Sequence, residues 1–321
     1  MIFPKYKYSI IIPHKDRFKL LSKLVSSIPQ RDDIQVIVID DASDVQTKKK
    51  LAGLESKRQH LTLFENQSNM SKGAGWARNI GITLSSGEYL VFADSDDSFT
   101  TDAFEVFDGI TKKQKYDFVV FKASSIKNDG KKSDRTDFTN FLIEKAARIK
   151  KNEKITIKEI LSKIDAPWAK LVRREMIINN DIKFDEIHYS NDVMFNLRVL
   201  IHAQNIEVCA KEVYNVLDHS SSLIKVQSET MLEERFDACI RFNNEFSHQK
   251  FSGNSYSVTG GYVWQAKKYG LSKMLEFTRR SVKNNVRLIY PIQRYLVALI
   301  MNLFGVNSLK IRFYVVFGCR I

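Results

Sequence analysis

The chain has 321 residues, 44% of them hydrophobic and 27% charged, with 13 glycines and 5 prolines, which excludes a collagen-like, disordered or low-complexity protein. Its three cysteines, Cys209, Cys239 and Cys319, are scattered and form no C-x-x-C pair, so neither structural zinc nor a disulfide framework is expected. The net charge is +13, but Tyr262 to Ile321 holds eleven Lys and Arg against the single acid Glu276, so the basic surplus belongs to the last 60 residues. No signal-peptide pattern opens the sequence, and its most apolar stretch, 288–306, is broken by Gln293, Arg294 and Asn302, so no membrane span is expected.

Short β-branched apolar runs recur along the first third: Tyr8–Ile12, Val36–Ile39, Leu61–Phe64, Tyr89–Ala93 and Phe118–Phe121. Runs of this length without alternation read as strands buried on both faces. Between them Phe18, Leu21, Leu24, Val25 and Ile28 share a helical face, and 74–84 and 101–110 are helical too. Strand and helix in alternation predict an α/β fold, a Rossmann-like, mostly parallel sheet flanked by helices. Residues 122–155, charged and turn-rich, are expected to run over the surface. Thr156 with Glu159 reads as a capping box. A helix over 191–201, strands near 206–208 and 213–217, and amphipathic helices from Met231 onward complete the pattern.

In open α/β sheets ligands bind beyond the carboxyl ends of the strands. Three predicted strands end there in polar signals: Pro13-His14-Lys15-Asp16, Asp40-Asp41-Ala42-Ser43-Asp44 and Asp94-Ser95-Asp96-Asp97. Asp94 and Asp96, two apart on a strand end, are expected to point the same way and to repel unless a cation lies between them. Hard carboxylate donors suit Mg²⁺ or Mn²⁺ carrying a phosphate. A helix cap explains Asp96-Asp97-Ser98 equally well when it is taken alone. Gly73 and Gly75 precede a helix, where backbone N–H groups cradle phosphate, although neither the Rossmann nor the P-loop spacing is present.

Together these pieces resemble the family-2 glycosyltransferases of the GT-A fold. The resemblance rests on Ser9-Ile10-Ile11-Ile12-Pro13, Asp40-Asp41-Ala42-Ser43-Asp44, Gly75-Trp76-Ala77-Arg78-Asn79-Ile80-Gly81 and Asp94-Ser95-Asp96-Asp97, in that order. It continues through Pro167-Trp168-Ala169-Lys170-Leu171 and Asn191-Asp192-Val193-Met194-Phe195, where Asn191 stands in place of the usual Glu of an E-D-x-x-F motif. The resemblance implies an inverting, metal-dependent transfer from a nucleotide-diphosphate sugar, such as a UDP-sugar, in bacterial surface-polysaccharide synthesis. It implies that Asp96 holds Mn or Mg, that Asp94 lies nearer the ribose, that Pro13 and Asp41 meet the base, and that Asp192 is the catalytic base. On the residues alone, Gly75 is a candidate donor contact in the phosphate-cradling loop and Trp168 a platform for sugar or a core residue. The resemblance covers about 7–225, which divides the chain into a transferase domain, 1–225, and a basic helical region, 226–321.

The basic segment mixes Arg279, Arg280, Lys283, Arg287 and Arg294 with Leu288, Ile289, Tyr295, Leu296 and Leu299. A basic amphipathic helix fits the surface of an anionic membrane, hence a lipid-linked acceptor at its inner face; a packing helix with a solvated basic face fits as well. No zinc finger or RNP-like motif supports nucleic acid as the partner. Two alternatives stay open: a sugar nucleotidyltransferase, although no Gly-rich loop follows the first strand, and a non-catalytic binding protein.

Overall fold

Alternation of burial decides which side of the sheet each residue serves. The structure, a computed structural model, describes residues 5–68, 70–149, 156–219, 228–249, 258–289, 292–303, 305–310 and 312. The first half runs β1 (Tyr6–His14), α1 (Phe18–Ser27), β2 (Ile34–Asp40), α2 (Val45–Glu55), β3 (Leu61–Glu65), α3 (Ala74–Leu84), β4 (Gly87–Phe92), β5 (Ser98–Phe99) and α4 (Ala103–Thr111). The second half runs β6 (Phe118–Lys127), α5 (Asp137–Arg148), α6 (Ile157–Leu161), β7 (Lys170–Arg173), α7 (Arg174–Asn179), α8 (Val193–His202) and β8 (Ile206–Asp218). Four helices follow: α9 (Glu229–Ser247), α10 (Gly260–Ala266), α11 (Leu271–Lys283) and α12 (Ile292–Leu303).

All eight strands join one sheet in the order β3-β2-β1-β4-β7-β6-β8-β5. Ile10, Ile12, Val36, Val38 and Val91 face one core with Leu21 and Leu24 of α1 and Phe104 and Phe107 of α4. Their neighbours Ile11, Ile37, Ile39, Leu90 and Phe92 face the other, with Ala77 of α3, Leu142 of α5 and Phe195 and Val199 of α8. Period-2 burial to two helical layers is why these strands read as continuous apolar runs.

The parallel expectation holds for β3, β2, β1 and β4, and again where β6 pairs β8. β7 enters antiparallel to both β4 and β6, and β5 runs antiparallel to β8, so the sheet is mixed. The surface excursion expected over 122–155 is not what forms. β6 continues to Lys127, a turn closes at Gly130 (φ 81°), and α5 buries Leu142, Ile143 and Ala146. The two strands expected over 206–217 are one strand, β8, paired to β6 with register shifts around Lys122. The capping box at Thr156 and Glu159 is present at the start of α6.

α9 joins the sheet layer to the last helices. Its Phe242 and Phe246 pack with Met194 and Leu197 of α8, and its Phe236 stacks on Phe277 of α11 at 3.9 Å. Lys273 and Arg280 of α11 reach back to Glu233 and, for Arg280, to Asp237. No helix among the described residues is long and apolar enough to cross a membrane. The final expected helical stretch, 313–321, lies outside the described residues.

Candidate active site

The carboxyl ends of β1, β2 and β4 lie side by side because those strands pair in parallel and in register, His14 opposite Asp40. Asp40 is fully buried. Burial alone would raise its pKa, but hydrogen bonds from His14 Nδ1 (3.1 Å), the Ser43 N–H (3.2 Å) and the Ser43 hydroxyl overcome that and hold it down. Asp16 N–H donates to Ser43 Oγ (2.8 Å) and Asp44 N–H to Asp16 Oδ1 (2.8 Å), which latches the loop after β1 to the loop after β2.

Asp41 points the other way. Its carboxylate accepts from Asn66 Nδ2 (2.9 Å), Ser71 Oγ (2.5 Å), Lys72 N–H (2.9 Å) and Gly73 N–H (2.7 Å). Burial opposes its ionisation, yet these donors keep its pKa low. The residue thus folds the 66–73 loop around itself. Gly73 has φ +90°, so the chain can turn into α3 only with glycine there.

β4 ends at Phe92, and Asp94-Ser95-Asp96-Asp97 forms a turn closed by Asp97 N–H to Asp94 O (3.1 Å). The expectation that Asp94 and Asp96 project together is therefore corrected, because a turn rather than a strand sets their directions. Asp94 receives Arg78 Nη2 at 2.7 Å, and its N–H donates to the Tyr214 hydroxyl (2.9 Å). Asp96 receives Arg17 Nη1 at 2.7 Å and meets His219 Nε2 at 2.7 Å. Asp97, 6% exposed, accepts from Leu217 N–H (2.8 Å), yet burial and then the charges of Asp94 and Asp96 push its pKa well up. So Asp97 is held toward its neutral form, beside two aspartates that each have an arginine partner.

Arg78, 5% exposed on α3, is a two-handed link: Nη2 holds Asp94 and Nη1 donates to Asn191 Oδ1 at 2.8 Å. Asn191 is followed by Asp192 at the start of α8. Asp192 occupies the cap position but its side chain makes no cap hydrogen bond, so a capping role does not account for it. Burial, then Asp165, push its pKa up to about 6, against the pull of Arg78. Its carbonyl is gripped by Asn196 Nδ2 (2.9 Å), whose Oδ1 accepts from Lys170 Nζ (2.6 Å). Lys170 is itself buried, which lowers its pKa to about 7 while Asp165 and Asp192 pull it back up.

The remaining expected residues have structural partners in this structure. Pro13 lies in β1 opposite Ile39 of β2. Gly75 lets α3 approach the chain before α8, since a Cβ there would lie 2.0 Å from the Asp185 carbonyl oxygen. Trp168, 9% exposed, stacks on Tyr214 with centroids 5.7 Å apart, one ring behind the N–H of Asp94. Two buried atoms of this region, His14 Nε2 and Arg78 Nε, find no hydrogen-bond partner among the described residues.

The sequence model of glycosyl transferase family 2 matches residues 9–179, more than half of the chain. The chain belongs to glycosyl transferase family 2. As a family-2 glycosyltransferase it is 23% identical over 289 residues to the GalNAc(5)-diNAcBac-PP-undecaprenol beta-1,3-glucosyltransferase of Campylobacter jejuni, covering 87% of this chain and 90% of that protein. It is 24% identical over 214 residues to the poly(ribitol-phosphate) beta-N-acetylglucosaminyltransferase TarS of Staphylococcus aureus, covering 65% of this chain and 35% of TarS. The solved structure of S. aureus TarS 1-349 in complex with UDP-GlcNAc superposes with a TM-score of 0.65 at 19% identity, over 84% of this chain and 79% of that one. That likeness gives the GT-A fold. The transferase assignment displaces both the nucleotidyltransferase and the non-catalytic readings.

Among the described residues no three His, Cys, Asp or Glu side chains converge as a ready-made metal cage. The turn offers something smaller: the carboxylate of Asp96, with that of Asp94 nearby. That donor set fits a hard Mg²⁺ or Mn²⁺, which takes one or two carboxylates and leaves its other positions to phosphate and water. Two side chains of the site were not singled out by their sequence context. Arg17 and Arg78 sat inside motifs read for their aspartates and glycines. His219, just after β8, is 7% exposed and touches Asp96. Lys170, Arg173 and Arg174 have Asn196, Glu175 and Ser85 as their partners.

Proposed function

We propose that this enzyme transfers a sugar from a nucleotide-diphosphate donor, a UDP-sugar, to the hydroxyl of a lipid-linked saccharide, with inversion, during synthesis of a surface polysaccharide such as capsule or O-antigen. Residues 1–225 carry the chemistry and 226–321 bring the enzyme to the inner face of an anionic membrane. The carrying observation is Asp192: a carboxylate that caps nothing, has a pKa of about 6, and is tied through Asn191 and Arg78 to the acidic turn.

Pro13 and Asp41 lie where the donor's base enters, Asp94 takes the ribose side, and Gly75 and Trp168 shape the floor around the sugar. Asp96 is the residue that would hold Mn²⁺ or Mg²⁺. Such an ion, when bound, supplies Lewis-acid neutralisation of a departing diphosphate. Arg17 and His219, both on Asp96, aim and partly balance that carboxylate. Asp192 takes the proton from the acceptor hydroxyl as the oxygen attacks the anomeric carbon. One base opposite the leaving group gives single displacement and inversion. General-base assistance of this kind is worth roughly 10²–10⁴-fold.

A donor screen tests the proposal. Purified protein with Mn²⁺, a panel of nucleotide sugars and lipid-linked acceptors is assayed for nucleotide diphosphate release, alongside Asp96→Ala and Asp192→Asn. Turnover with a UDP-sugar, lost in both variants, is the expected result. Turnover indifferent to both substitutions refutes the residue assignments, and silence with every donor refutes the donor class.

A further inference from the structure

α12 is amphipathic the wrong way round for a helix facing water. Arg294 is 8% exposed, and Ala298 shares its inner face, while Leu296, Leu299, Ile300 and Leu303 are 57%, 58%, 52% and 77% exposed. These four fall at i, i+3, i+4 and i+7, one continuous stripe. α11 repeats the pattern. Phe277 and Ser281 are fully buried, and on the opposite side Leu271, Leu275 and Val282 stand 64%, 49% and 64% exposed, within about 40° of arc at roughly 100° per residue. Isolated exposed leucines are ordinary on a protein surface; two helices each presenting a whole apolar stripe are not.

The charge around these stripes selects what covers them. Arg279 and Lys283 are exposed beside the α11 stripe, and Lys267 and Lys268 are exposed in the turn before it. The single acid of 262–321, Glu276, is already held by Lys273 (3.3 Å) and Arg280 (3.4 Å). A second copy of the chain would bring like charges together at such a face. A bilayer with anionic headgroups satisfies both the apolar stripes and the bases.

We infer that the outward faces of α11 and α12, with Arg279 and Lys283 at their margin, form the membrane-docking surface of this enzyme, and that its ligand is an anionic lipid bilayer. The inference deepens the membrane part of the proposed function and is independent of the chemistry, because docking needs neither donor nor Asp192.

The test is flotation of the full chain, without nucleotide, with vesicles of phosphatidylcholine alone or doped with phosphatidylglycerol. The protein is expected to float with the doped vesicles only and to be released by salt. Arg279→Gln with Lys283→Gln should weaken binding about 25-fold, from two contacts worth about fivefold each. Leu271→Asp with Leu275→Asp should abolish it. All four positions are exposed, so circular-dichroism melts should match the parent, and donor turnover without vesicles should be unchanged. Equal flotation with neutral vesicles, or none with either, overturns the inference. So does a dimer in sedimentation that Leu271→Asp with Leu275→Asp dissociates while flotation persists, since a second copy then covers this face.

Discussion

Asp192→Asn separates the chemistry of the site from its stability. The wild-type carboxyl has a pKa of about 6 where 3.8 is ordinary, chiefly through burial. The folded protein therefore holds this proton more tightly than the unfolded chain does. Stability from the protonated form is complete below about pH 4 and is lost as pH rises through about 6. A difference of about 2 in pKa corresponds to at most about 3 kcal/mol. Asparagine is neutral at every pH and keeps the shape. At pH 7.5 the variant should melt above the parent, by about 4 °C for a chain of this length, and at pH 4 the two should coincide. Its kcat should fall by about 10²–10⁴, with the donor KM unchanged. In the parent, kcat/KM should drop about tenfold per pH unit below pH 6 as the base is protonated. Differential scanning calorimetry and steady-state rates across pH 4.5–8 read both quantities. An asparagine variant that keeps a tenth of the rate, or that melts lower than the parent, refutes the assignment.

Arg78→Met should destabilise the fold by about 3 kcal/mol, since it leaves the Asp94 carboxylate without its buried partner. It should also lower kcat/KM by about a hundredfold, the usual result of a roughly 1 Å misplacement of the groups it holds; chemical denaturation and initial rates check both. Gly75→Ala should displace the 185–191 segment and cost activity, because its Cβ would lie 2.0 Å from Asp185 O. Gly53→Ala, in an open helical position, should instead raise stability by about 0.5–1 kcal/mol. Far from the site, Asp108 is bound by Lys7 (2.6 Å), Arg31 (2.7 Å) and the Tyr8 hydroxyl (3.0 Å). Burial alone would raise its pKa; these donors prevail and lower it to about 2. Its contribution, about 2 kcal/mol, should be present above pH 4 and vanish between pH 4 and 2, and urea titrations of Asp108→Asn should lose that pH dependence.

The parallel strands and the acidic loops were legible because they are local: an apolar run of five residues followed by aspartates announces itself. β7 was not, because Lys170-Leu171-Val172-Arg173 reads as a charged fragment until β4 and β6 close on it and bury the Lys170 amine. α5 was hidden for a similar reason. Glu144, Lys145 and Arg148 mask a face whose Leu142, Ile143 and Ala146 only gain meaning against the sheet. The aspartates proposed for the site were picked out from sequence, but their partners could not be. Arg17 and His219 lie 79 and 123 residues from Asp96, and no short-range pattern encodes such pairings. The outward stripes of α11 and α12 show the same limit, since periodicity marks an apolar face without saying whether the protein interior will receive it.

Asp41 is already saturated by the loop it organises. Any group that takes one of its oxygens must evict Ser71, Asn66 or a main-chain N–H of the 66–73 loop, so recognition there is a trade of one bond for another. The net free energy of such a swap is small. What it changes is the shape of the loop, so in the proposed role at the donor's base this carboxylate is better suited to reporting an arrival than to gripping it.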